Sequence, residues 1–114
     1  MTSRGQAAEA LALQFLQQRG LKLIAQNYRC RFGEIDLVMR DGATVVFTEV
    51  RLRTSNAFGG AAASVTAQKQ RKIVLAARHY LSELKYAPTC RFDVTLLDDM
   101  NVDRVEWIQN AFSE

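Results

Sequence analysis

The spacing of apolar residues changes several times along the chain, and each change marks an element. From Ala7 to Leu16 apolar residues recur densely, as in a helix with one buried side. Ser3 with Gln6 three residues later fits a capping box, and Gly20 closes the helix. The stretch "LKLIAQNYRC" is short, and its first part predicts a strand over about Leu21 to Tyr28. Residues 33–53, "GEIDLVMRDGATVVFTEVRLR", are two β-rich runs flanking Asp41-Gly42, a strong hairpin signal. The Gly- and Ala-rich segment 54–64 reads as a loop, after which Ser64 or Thr66 can cap a second helix running to about Leu84. Pro88 marks the break that follows. "CRFDVTLL" is a strand with Phe92, Val94 and Leu96 on one side, "DDMN" a turn, "VEWI" a last strand and "QNAFSE" a short tail. The order helix, three strands, helix, two strands predicts an α/β domain, a mixed five-stranded sheet flanked by helices.

The length of 114 residues suits one domain spanning 1–114, and 48% hydrophobic content is that of a chain with a core. A formal charge of +3 favours a polyanionic partner mildly and decides nothing alone. Cys30 and Cys90 form no CxxC pair and the single histidine, His79, lies far from both, which argues against zinc. No apolar run approaches the ~20 residues of a membrane span, and the N-terminal segment lacks a signal-peptide pattern. A cytoplasmic protein with two free thiols is the expectation.

The hairpin carries the candidate chemistry. With Asp41 and Gly42 as the two loop residues, Arg40 faces Ala43, Val38 faces Val45 and Asp36 faces Phe47. One face then carries Asp36, Val38, Val45, Phe47, Glu49 and Arg51, and the other Ile35, Leu37, Met39, Val46, Thr48, Val50 and Leu52. Both faces are largely apolar, the pattern of strands covered on two sides. Asp36 and Glu49 become a diagonal pair about 7–8 Å apart at the backbone. Two carboxylates buried together repel, so something positive belongs between them. A hard divalent cation, Mg²⁺ or Mn²⁺, fits. The competing reading is a strand end in which Arg51, two residues from Glu49, neutralises the acid.

Further residues sit where such a site would need them. Glu9 shares a helical stripe with Ala12, Leu13 and Leu16, either as a boundary residue reaching outward or as a functional acid. Lys69 lies on the stripe of Ile73, Ala76 and Tyr80 near the start of the second helix, with Gln68 adjacent. An extended Lys with its head in water is the ordinary explanation for such a position. Arg51, Arg53, Lys69 and Arg71 would make a basic rim suited to phosphates, while Lys72 and Arg78 belong to the solvated face.

From "GQAAEALALQFL" to the tail, with "VTAQKQRKI", "AARHYL", "RFDV" and "WIQNAF" in the same order and spacing, the chain resembles the YraN family of small bacterial proteins. That family looks like the restriction-endonuclease-like superfamily, which includes archaeal Holliday-junction resolvases. The resemblance implies a three-layer restriction-endonuclease-like fold. It also implies that Glu9 matches the helical acid, Asp36 the strand acid and Glu49 the Glu of an ExK motif. Arg51 stands in place of that motif's Lys, and Lys69 matches a Lys at the start of the second helix. A guanidinium stays charged and cannot act as a base, but it can grip phosphate.

The expected function is metal-dependent hydrolysis of DNA, branched or single-stranded. Asp36, Glu49 and Glu9 would hold the metal, and Arg51, Arg53, Gln68 and Lys69 would contact nucleic acid. By analogy with the resolvases a homodimer is expected. The rival is a nucleic-acid-binding module of the same fold that Arg51 has left without catalysis. A weaker third reading is an adaptor without nucleic-acid affinity.

Overall fold

The computed structural model describes residues 4–52, 65–97 and 102–114. Ser3, Arg53, Ser64, the 54–64 loop and the 98–101 turn of the sequence reading lie outside them. The elements are α1 (Arg4–Gln18), β1 (Lys22–Cys30), β2 (Gly33–Asp41), β3 (Thr44–Leu52), α2 (Ala67–Ser82), β4 (Cys90–Leu97) and β5 (Val105–Phe112), with a short 3₁₀ turn (Val102–Arg104) before β5. The five strands lie in sequence order in one sheet. All neighbours are antiparallel except β3 and β4, which are parallel and are joined through α2. Parallel neighbours require such a crossover.

Each helix covers one face. Ala8, Ala12, Phe15 and Leu16 of α1 pack with Leu37, Met39, Val46 and Leu97. Ile73, Val74, Ala76 and Ala77 of α2 pack with Val38, Val45, Phe47, Phe92, Val94 and Leu96. The result is a three-layer α/β/α arrangement around a mixed five-stranded sheet, as the element order predicts. Covering on both sides explains why β2 and β3 are apolar at odd and even positions alike. Thr66 is the N-cap of α2, its hydroxyl accepting from the Lys69 amide at 3.1 Å.

Three expectations are corrected. The hairpin register is shifted by two residues: Asp41 pairs with Thr44, Arg40 with Val45 and Val38 with Phe47. Gly42 has φ 62° and takes the first turn position, which forces Asp41 back into the strand. A two-residue shift preserves which face each residue takes, so the core assignment of Val38, Val45 and Phe47 holds. Ile35, however, packs against α2 and not beside Leu37 on the α1 side. Finally, β5 continues through the segment read as a tail and ends with Phe112 paired to Phe92.

Candidate active site

Two adjacent strands rotate at one point. In β1 both Ala25 and Tyr28 pack on the α2 side, and in β2 so do Val38 and Ile35. Regular alternation would send residues three apart to opposite faces. Between them Asn27 and Asp36 stand opposite each other, in the register between Gln26↔Leu37 and Tyr28↔Ile35. Asn27 has a left-handed backbone, φ 52°, which Asn tolerates better than most residues. Asp36 therefore sits at a break in the face alternation. Its Oδ2 accepts a hydrogen bond from the Val50 amide at 2.8 Å. The β2–β3 ladder ends at Leu37↔Thr48, so this carboxylate replaces main-chain carbonyl as the acceptor for the next β3 donor.

Glu49 follows the α2-facing alternation of Val45 and Phe47 and is 6% exposed. Its carboxyl is pushed up to about 8, first by burial, then by the hydrogen bond and charge of Asp36, with Lys69 and Arg51 opposing. Burial and the nearby Asp36 charge both favour the protonated form of Glu49. The Lys69 ammonium stands 3.6 Å from Glu49 Oε2. That is longer than a charge-assisted hydrogen bond and fits a Glu49 that is mostly protonated at neutral pH. Oε2 itself is buried without a hydrogen-bond partner among the described residues, and so is Arg51 Nε.

The hairpin thus brings Asp36 and Glu49 together, and α2 adds Lys69 on the Glu49 side. Arg51 influences Glu49 by charge, but the close cationic contact belongs to Lys69. Glu9 approaches Asp36 from α1, the opposite layer. Partial burial and the Asp36 charge raise its pKa, and a hydrogen bond with Asn27 opposes them. Gln68 is exposed in the first turn of α2. Arg53 lies outside the described residues.

Among the described residues no group of three His, Cys, Asp or Glu could by itself hold a metal. A cation here would rest on Asp36 and Glu49, with water or phosphate oxygens completing its shell, as is common for Mg²⁺. The donor chemistry fits that role. Both ligands are hard oxygens, one carboxylate oxygen is buried without a hydrogen-bond partner among the described residues, and burial together with the Asp36 charge raises the Glu49 pKa.

Sequence reasoning missed two sets of residues. Asn27 shapes the break beside Asp36, and its signal was an Asn inside a strand, where Asn is depleted. The second set lies toward the other end of the sheet. Asp93 is fully buried and accepts from Arg91 Nε at 3.1 and 3.2 Å, Trp107 Nε1 at 2.9 Å and the Asn110 amide at 3.0 Å. Arg91 Nη1 also donates to Asp41 at 3.0 Å. Asn110 has φ 53° and lies in the irregular stretch of β5 opposite Asp93. The "RFD" and "NAF" stretches are therefore the two halves of one structural clamp.

Fold and site together define a small three-layer α/β domain with a close Asp–Glu pair at one end of its sheet. The chain belongs to a family described as "Uncharacterised protein family UPF0102", whose model matches residues 8–97. A UPF0102 protein of Methylobacillus flagellatus is 57% identical over 99% of both chains. One from Nitrosomonas europaea is 54% identical over 98% of this chain and 95% of its own. Another, from Cupriavidus pinatubonensis, is 59% identical over 96% and 85% respectively. The match carries the YraN-family resemblance across nearly the whole chain. The two cysteines are free, and among the described residues no helix is long and apolar enough to cross a membrane.

Proposed function

We propose that the protein is a metal-dependent phosphodiester hydrolase acting on DNA, branched or single-stranded, with Asp36 and Glu49 as its Mg²⁺ or Mn²⁺ ligands. The observation that carries this reading is the acid pair itself. Two carboxyl groups lie close at the sheet end, one of them 6% exposed with an oxygen that has no hydrogen-bond partner among the described residues, beside a Lys and an Arg. A structural ion pair would match that oxygen with a guanidinium at hydrogen-bond distance, whereas here the nearest ammonium stands back at 3.6 Å.

Each residue then has a role. Asp36 is held by the Val50 amide, which fixes one oxygen and leaves the other for a ligand. Glu49 would hold the cation as a carboxylate, and Glu9, near Asp36 on the α1 side, would act through a water. The bound cation would neutralise phosphate charge and activate the attacking water. Water adds to phosphorus, the P–O bond to the leaving sugar oxygen breaks, and the products are a phosphomonoester and an alcohol. Arg51 stays charged and stabilises the growing negative charge on the phosphate oxygens. Lys69, 3.6 Å from Glu49 Oε2, would orient the phosphate or the water.

The test is incubation of the purified protein with single-stranded, duplex and branched DNA in Mg²⁺ or Mn²⁺. Cleavage of at least one form is expected, lost in Glu49→Ala. If no form is cut with either metal, the proposed activity is wrong.

A further inference from the structure

The end of the sheet that holds the acid pair also carries a group of cations that the chemistry above does not use. The β1–β2 turn follows Cys30↔Gly33, only three residues before Asp36. Arg29 and Arg31 flank Cys30, and both are exposed, the Arg29 side chain 75% so. Arg29 meets Glu34 at 3.4 Å and is near enough to Glu9 to act on it by charge. On the other side the turn is seated on α2. A Cβ added to Gly33 would lie 3.3 Å from the Lys72 Cβ, and the Phe32 ring packs edge-on to His79 at 5.9 Å. The Arg31 guanidinium lies over the Phe32 ring at 4.8 Å, which fixes its position at low entropic cost. Lys72 is exposed one turn after Lys69.

We propose that Arg29, Arg31 and Lys72 form a phosphate-binding ridge that holds the nucleic-acid backbone beside the acid pair. The proposal rests on the hydrolytic reading for its ligand and adds a surface that reading does not require. Charge complementarity selects the partner. Solvated cations set on a rigid turn and a helix give a sequence-independent grip on successive phosphates. The spread of the ridge is informative too. Arg29 acts toward the α1 layer and Lys72 belongs to the α2 layer, so the ridge crosses the end of the sheet. A backbone lying along it passes over the seam where Asp36 and Glu49 meet.

Binding of a fluorescein-labelled oligonucleotide, single-stranded and duplex, is measured across a salt series in EDTA so that no cleavage intervenes. The triple variant Arg29→Ala/Arg31→Ala/Lys72→Ala should lower the slope of log Kd against log salt by about 2 to 3, at roughly 0.7–0.9 per lost phosphate contact. A control, Arg78→Ala/Lys85→Ala, removes two exposed cations elsewhere and should leave the slope as it was. Arg29→Lys/Arg31→Lys keeps point charges and should also retain it, which separates loss of charge from loss of folding. The Mn²⁺-induced rise in Tm should survive in the triple variant. An unchanged slope in the triple variant, an equal loss in the control, or no salt-dependent binding by the wild type overturns the ridge. A ridge effect in a protein whose Tm does not respond to Mn²⁺ supports the surface and removes the metal site.

Discussion

Replacing Glu49 with Gln isolates the Glu49 proton. In the native protein Glu49 keeps its proton until about pH 8, against 4.5 for the ordinary carboxyl. Between those values the folded chain binds one proton more than the unfolded chain, so stability falls as pH rises. The contribution is fully present below 4.5 and is lost once pH passes about 8. Each bound proton is worth about 1.4 kcal/mol per pH unit, so a loss on the order of 2 to 3 kcal/mol separates about pH 5.5 from about pH 7.5. A Gln amide donates to Asp36 without titrating, so Glu49→Gln loses this slope. Subtracting the variant from the wild type removes the background from Glu9, Cys90 and the tyrosines. Urea unfolding followed by the fluorescence of Trp107, the chain's single tryptophan, gives both curves. The variant should gain on the wild type steadily as pH rises. A difference that stays constant across the window would mean that Glu49 holds no extra proton, and the acid pair would lose its argument for a cation.

Lys69→Met removes a charge that lowers the Glu49 pKa, so the window of falling stability should extend above pH 8 in the same titration. A shift to lower pH would contradict the contact. Asp93→Ala leaves Arg91 Nε, the Trp107 indole N–H and the Asn110 amide without their acceptor, with Asp41 still pairing the Arg91 charge, and should cost about 2–4 kcal/mol by urea unfolding. A loss below about 1 kcal/mol would show that the clamp bears little of the fold. Asn110→Ala should be less stable than Asn110→Gly by roughly 1–2 kcal/mol, because Ala resists the left-handed backbone, and equal melting temperatures would refute that conformation.

The parts of this fold that follow from local periodicity were readable in the sequence. Alternation in residues 33–53 gave the hairpin and assigned Val38, Val45 and Phe47 to one layer, because a two-residue slip of register leaves faces unchanged. The slip itself was hidden: Asp41-Gly42 and Gly42-Ala43 are both acceptable loops, and the positive φ of Gly42 chooses between them. Asp36 and Glu49 were legible as acids within apolar strands. Their register was not, since it follows from the turn position that Gly42 takes. The last strand was cut short because "QNAF" breaks alternation. Its pairing is sustained by Asp93, a contact 17 residues back in the chain. Lys69 was found from its helical stripe, but only the tertiary packing of α2 on the sheet names Glu49 as its neighbour.

Asp36 has one oxygen sewn into the edge of β3, so whatever happens at its other oxygen is felt by main chain. The Val50 amide proton is thereby an internal gauge. Its chemical shift and its exchange with solvent should register proton loss or ligand arrival at the acids, in a molecule that carries no chromophore there.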